Sequence, residues 1–170
     1  MPDGYSWARL RTLCTKLVDG NHNPPGGLNH KTEYLMLSSQ NINNDRIVNL
    51  DKVRYISKDQ YQIEDKGTAL KAGDILFTSV GTLGRSCIYK GGMNLCFQRS
   101  VSVITTLINP EYLKMYLDSP EYQNMVIEQA TGTAQKGFYL NQLADSFIAI
   151  PSENQMVRVS KKAKRIIQLL

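Results

Sequence analysis

The run from Leu70 to Tyr89, Leu-Lys-Ala-Gly-Asp-Ile-Leu-Phe-Thr-Ser-Val-Gly-Thr-Leu-Gly-Arg-Ser-Cys-Ile-Tyr, constrains the fold more than any other part of the chain. Ile75, Leu76 and Phe77 form a short apolar run suited to a buried strand. Lys71 to Asp74 reads as a turn before it, and Gly81 and Gly84 bracket a compact turn after it. The segment therefore reads as strand, tight turn, strand. Its polar groups are Thr78, Ser79, Thr82 and Arg85: short hydroxyls and one guanidinium. Such a set suits phosphate and base-edge contacts. It holds no nucleophile–base pair and no metal cluster, so it points to binding rather than chemistry.

The flanking segments extend this pattern. Trp7 and Leu10 are expected to anchor the N-terminal stretch on the core, and Asp74 is read as a turn residue. Asp19-Gly-Asn-His-Asn-Pro-Pro-Gly-Gly27 is a turn-forming surface loop carrying Asn21, His22 and Asn23, with Lys31 just beyond. Tyr34–Leu37 reads as a buried strand, Ile47-Val48 and Val53–Ile56 as short strands, and Ser57–Gln62 as one helical turn capped by Ser57. Leu95–Ile104 reads as one strand, with Phe97, Val101 and Val103 on one face and Gln98, Ser100 and Ser102 on the other. Arg99 sits beside Gln98 on that strand. No long crossover helix separates these strands, which argues against a doubly wound parallel sheet.

The character changes after Ile108. Asn109-Pro-Glu-Tyr and Ser119-Pro-Glu-Tyr each place a cap, a proline at the first helical position and a glutamate in the first turn. They predict two short helices, or one broken at Pro120. A glycine-punctuated loop follows, offering Thr131, Thr133, Gln135 and Lys136. Gln suits a bidentate pair with adenine, and Lys reaches guanine or phosphate. Phe147–Ile150 reads as a closing strand. In the tail, Met156, Val159, Ala163, Ile166 and Leu170 recur at heptad spacing, which suggests the first turns of a coiled coil rather than a helix folded on its own core.

The expected fold class is α+β. A twisted, mostly antiparallel or mixed β core, curled or barrel-like, carries short helices and a projecting C-terminal helix. Residues 1–152 would form the domain and 153–170 the start of a spacer helix. Among the 170 residues no stretch approaches a membrane span, the N-terminus lacks a signal-peptide pattern, and Cys14, Cys87 and Cys96 fit reduced thiols in a cytoplasmic setting. Of the net charge of +5, +4 belongs to residues 151–170, so the remainder is nearly neutral. Such a domain binds DNA only if its basic residues converge on one face. His22 and His30 have no partner at zinc-ligand spacing, and Gly81-Thr-Leu-Gly84 matches no phosphate-binding fingerprint.

The order of pieces carries a further signal. Gly4-Tyr-Ser-Trp-Ala-Arg-Leu10 is followed by Asp19-Gly-Asn-His22 with Pro24 and Pro25. Leu70-Lys-Ala-Gly-Asp-Ile-Leu76 leads to Gly81-Thr-Leu-Gly-Arg85, then to Asn94–Arg99, Pro110-Glu-Tyr-Leu113, Gly132-Thr-Ala-Gln135 with Leu140, and Ile148-Ala-Ile-Pro151 with Gln155. Over about residues 4–160 this resembles a target recognition domain of the DNA specificity subunit of type I restriction–modification enzymes. The exit segment Ile150-Pro-Ser-Glu-Asn-Gln155 is poorer in proline than the family's usual form.

The resemblance implies a non-catalytic, cytoplasmic protein that reads one half of a bipartite double-stranded DNA target. The side-chain chemistry read above, rather than the resemblance, gives the expected DNA contacts: Asn21, His22, Lys31, Ser79, Thr82, Arg85, Gln98, Arg99, Thr133, Gln135 and Lys136, with the 19–31 loop, the 78–85 turn and the 131–137 loop converging on one side. The tail stripe would meet a second recognition unit or another copy. A methyltransferase subunit would bring S-adenosylmethionine and methylate adenine, a separate restriction and motor subunit would cleave, and this chain would need no cofactor. Whether the chain is a fragment, a half-size subunit or a truncated copy stays open. So do two other readings: the recognition portion of a fused DNA methyltransferase, and a β-rich interaction domain that binds no DNA.

Overall fold

A computed structural model describes residues 4–133 and 135–167, without side-chain detail at 164, 166 and 167. In chain order the strands are β1 (Ser6–Arg9), β2 (Cys14–Asp19), β3 (Tyr34–Leu37), β4 (Ile42–Asn43), β5 (Arg46–Ile47), β6 (Arg54–Tyr55), β7 (Ile75–Thr78), β8 (Ser86–Ile88), β9 (Asn94–Phe97), β10 (Val101–Thr106) and β11 (Phe147–Ile150). The α-helices are α1 (Lys58–Thr68), α2 (Pro110–Leu117), α3 (Pro120–Gln129), α4 (Leu140–Asp145) and α5 (Glu153–Ile167).

The Ile75–Phe77 run sits at the centre. Strand β7 lies between β10 and β8 in an antiparallel sheet of order β2-β10-β7-β8. All four of its residues are buried, because both faces of this sheet are covered. Ile75 and Phe77 pack with Ile104, Leu113, Leu117, Tyr122, Val126, Phe138 and Leu143 beneath α2, α3 and α4. Leu76, Val101 and Val103 face the other way, onto Leu37, Leu95 and Phe97. Those residues belong to a second sheet, β6-β3-β9, in which β3 and β9 run parallel. Helix α1 covers the far side of that sheet through Met36, Cys96, Ile56 and Tyr61. Burying each large apolar side chain contributes roughly 1.5–3 kcal/mol, so this two-faced sheet is the main source of stability.

The α+β class with a mixed, largely antiparallel β core holds, but its sheets do not close into a barrel. The glycine-bracketed turn is as expected: Gly81 and Gly84 adopt φ of +86° and +78°, a region that suits glycine. Both proline-led helices form separately. Asn109 Oδ1 accepts from the Tyr112 amide at 2.9 Å, and Ser119 Oγ accepts from the Tyr122 amide at 3.3 Å.

Four expectations need correction. Leu95–Ile104 is not one strand: β9 and β10 belong to different sheets and are joined by a turn at Gln98–Ser100. The helical turn at Ser57 continues to Thr68, supported by a capping box in which the Gln60 amide donates to Ser57 Oγ and Ser57 N–H donates to Gln60 Oε1. Trp7 is 54% exposed, because β1 pairs with β11 and turns Trp7, Arg9 and Phe147 outward while Leu10 enters the core. Asp74 is more than a turn residue. It is buried and accepts from Lys16 Nζ at 2.9 Å, Thr105 Oγ1 at 2.6 Å and the Lys71 amide at 2.9 Å.

At the tail, Met156 departs from its expected place on a partner-facing stripe. Met156 and Ser160, one helical turn apart, are both buried, and α5 packs along α2. Met156 is therefore used by its own domain and is not free for a partner helix. Val159 and Ala163 are half-buried beside it, while Ile166 and Leu170 lie outside the described side chains. No helix among the described residues is long and apolar enough to cross a membrane.

Candidate nucleic-acid interface

The turn between β9 and β10 organises the candidate site. Gln98 N–H donates to Leu37 O at 2.8 Å, and Val101 N–H closes the turn on Gln98 O at 3.0 Å. Arg99 N–H donates to Asn21 O at 2.9 Å, while Arg99 O accepts from Ser79 Oγ at 3.2 Å. Ser100 O accepts from the Ser79 amide at 3.0 Å, and Ser100 Oγ from the Ser39 amide at 3.1 Å. Three other segments are thus tied to this turn: the start of the 19–31 loop, the 38–41 turn, and the end of β7.

The 131–137 loop joins from the other side. Thr131 and Gly137 exchange amide–carbonyl bonds of 2.9 and 2.8 Å, closing the loop on itself. Phe138 N–H then donates to Ser79 O at 2.8 Å, and Val80 lies bridged to Gly137. The result is a cleft of about 440 Å³ walled by Ser38–Gln40, Val80, Gln98–Ser100, Gln135 and Tyr139. Its lining combines three amide side chains, hydroxyls and one guanidinium. It can accept and donate to base edges and place one positive charge against a phosphate or a base.

A smaller hollow of about 290 Å³ adjoins the turn and is lined by Asp19, Asn21, His22 and Glu64 among others. Burial pushes the Asp19 carboxyl above the ordinary carboxylate range, opposed by its bond from Ser102 and by the charges of His22 and Arg99. Burial also raises the thiols of Cys14, Cys87 and Cys96 to about 12, leaving them protonated at neutral pH. Among the described residues no three His, Cys, Asp or Glu side chains gather as metal ligands would.

The residues singled out from the sequence divide by position. Gln98, Arg99 and Gln135 line the cleft, and His22 lines the adjoining hollow. Thr133 and Lys136 are exposed on the loop that forms one wall. Ser79, Thr82 and Asn21 build the scaffold instead. Ser79 is buried, Thr82 Oγ1 donates to Ser39 O at 2.9 Å, and Asn21 Nδ2 donates to Glu64 Oε1 at 2.7 Å. Arg85 is exposed beyond Gly84 and lines no part of the cleft. Lys31 precedes β3, whereas the cleft lies past its other end. Sequence reasoning missed Ser38, Gln40 and Tyr139. Tyr139 had a readable signal: it stands directly before α4, and its amide donates to Gln142 Oε1 at 2.9 Å, the reach-back of a helix N-terminus.

No family model matches the chain. In sequence it is similar to the type I restriction enzyme EcoBI specificity subunit of Escherichia coli, 29% identical over 126 residues, covering 72% of this chain and 26% of that protein. In fold it is similar to the HsdS subunit of Thermoanaerobacter tengcongensis, with a TM-score of 0.68 and 17% identity over 99% of this chain and 38% of that one. A type I restriction–modification S subunit from M. genitalium gives a TM-score of 0.66 and 11% identity over 96% of this chain and 39% of that one. The chain thus spans about a quarter of the curated relative and about two fifths of these structures. The resemblance to a recognition domain of a type I specificity subunit holds in both sequence and fold.

Proposed function

We propose that this chain is a non-catalytic target recognition domain that binds double-stranded DNA sequence-specifically through the cleft around Gln98–Ser100. The similarity to the EcoBI specificity subunit over 72% of the chain carries this reading. The cleft supplies the chemistry: Arg99 for guanine or phosphate, and Gln40, Gln98 and Gln135 for adenine edges. Lys136 and Thr133 flank it and suit backbone contacts.

In the finer form of this reading, the domain recognises one half of a bipartite target in the cytoplasm. A partner methyltransferase subunit brings S-adenosylmethionine and modifies the site, and a motor and nuclease subunit joins through the complex. The exposed part of α5 then leads toward a second recognition unit.

A salt series with duplex DNA tests the core of the reading. The logarithm of the binding constant should fall linearly with log salt, each phosphate contact adding about 0.9 to the magnitude of the slope. Gln135→Ala should lower discrimination between sequences, whereas Arg85→Ala, off the cleft, should change little. Absence of binding at low salt, or binding without salt dependence, would overturn the proposal.

A further inference from the structure

We infer that Arg99 reads a guanine in the DNA target and that Tyr139 is the positioning residue that aims it. This rests on the cleft being the DNA-binding surface. An arginine reads guanine only if its fork is held in the plane of the base, so the question is what fixes the guanidinium.

Two devices do so. The first is the backbone. Arg99 occupies the tip of the Gln98–Val101 turn, where its N–H is bonded to Asn21 O and its carbonyl to Ser79 Oγ, with further bonds on either side at Gln98 and Ser100. Asn21 is in turn held by Glu64. The Cα–Cβ direction of Arg99 is therefore fixed by three separate segments of the chain. The second device is the ring of Tyr139, whose centroid lies 5.8 Å from the Arg99 guanidinium carbon. A ring face beneath a guanidinium restricts its orientation and leaves its N–H edge free. Tyr139 is itself constrained: it precedes α4 with its amide bonded to Gln142, and its ring lies over Gly137, where a Cβ would come within 2.8 Å of the ring.

Arg99 remains exposed, and although its charge acts on Asp19, among the described residues no carboxylate stands within ion-pair distance of it. Its five donors are available to a ligand. A phosphate contact needs only charge within reach and tolerates a mobile side chain. A held, stacked fork suits the paired acceptors O6 and N7 of guanine. Lysine replaces arginine in the first role but not in the second.

Selection of bound duplexes from a randomised library by the full chain, followed by competition binding, tests this. The native chain should enrich a sequence with a guanine whose preference falls roughly 5- to 100-fold in both Arg99→Ala and Arg99→Lys. Tyr139→Phe should keep that preference. Tyr139→Leu should weaken it at the same position more than at the other positions of the selected sequence. Thermal unfolding of each variant checks that the fold survives. If Arg99→Ala weakens all sequences alike, or Arg99→Lys preserves the guanine, Arg99 is a phosphate contact and the assignment falls. If the Tyr139→Leu variant keeps the full preference, the positioning role falls. If the native chain binds and enriches no sequence at all, the sequence-reading function itself fails, and the assignment with it.

Discussion

Asp19 shows how a single side chain links scaffold and surface. It accepts from Ser102 Oγ at 2.5 Å inside the sheet and borders the hollow beside the Arg99 turn. Burial raises its pKa above the ordinary 3.8, so the folded state holds the proton more tightly than the unfolded chain does. Stability is then unaffected by this group below 3.8, falls as pH climbs from there through the raised value, and stays lowered above it. Asp19→Asn removes the ionisation while keeping an acceptor for Ser102. Thermal unfolding at two pH values checks this: the variant should gain on the native protein at pH 7 relative to pH 3. An equal difference at both would mean that Asp19 titrates as it does in water. At this scale the sequence identified residue types better than their directions. Gln98, Arg99 and Gln135 line the cleft. Ser79 and Thr82 carry the same kind of hydroxyl, yet theirs are turned to backbone carbonyls. Nothing in a local pattern distinguishes a hydroxyl that faces the surface from one that ties two turns together.

Between elements, what was legible depended on whether the cause is local. The caps of α2 and α3 and the glycines of the β7–β8 turn act within four residues and were readable. The turn at Gln98–Ser100 contains no glycine or proline and is imposed by bonds to Leu37, Asn21, Ser79 and Ser39, all distant in sequence. Helix α1 was read short because Lys58–Thr68 is mostly polar and its Ile63 is 67% exposed, leaving little apolar periodicity to detect. The parallel β3–β9 pair joins segments far apart, which strand patterns alone do not specify. Gly20 is where the outcome becomes testable. Its φ is not positive, so conformation does not require glycine. A Cβ there would come within 2.2 Å of Phe97 O and 2.4 Å of Gln98 O, so close approach does. Gly20→Ala should drive the 20–22 segment away from the Arg99 turn, destabilising the fold by about 1–3 kcal/mol, as overpacking does, and weakening DNA discrimination together with it. Denaturant unfolding measures the first effect and competition binding the second. An unchanged midpoint and unchanged discrimination would show that the turn does not depend on this contact.

For the whole molecule, α5 divides between its own domain and the surface. Its inner face at Met156 and Ser160 is closed against the domain, and Ser160 Oγ donates to Met156 O at 2.8 Å. Arg158, Lys161, Lys162 and Arg165 are exposed. The helix thus begins as part of the core and acquires a free basic surface within two turns. The heptad stripe noted in the sequence mixes these roles, because periodicity alone does not reveal which turn of a helix leaves its domain. Two consequences follow for a version ending at Ser152. Losing Met156 uncovers apolar surface along α2, so the shortened domain should be less stable by roughly 2–5 kcal/mol, the usual cost of emptying a buried methionine site. Association behaves differently. So short an exposed segment of helix is marginal as a coiled coil, so the chain as it stands should sediment mainly as a monomer, and a version lengthened by further heptads of the same spacing should associate. Sedimentation and thermal unfolding of the three versions separate the roles. Monomeric behaviour in all three, with the predicted loss of stability on shortening, would confine α5 to its own domain and overturn the proposed link to a second recognition unit.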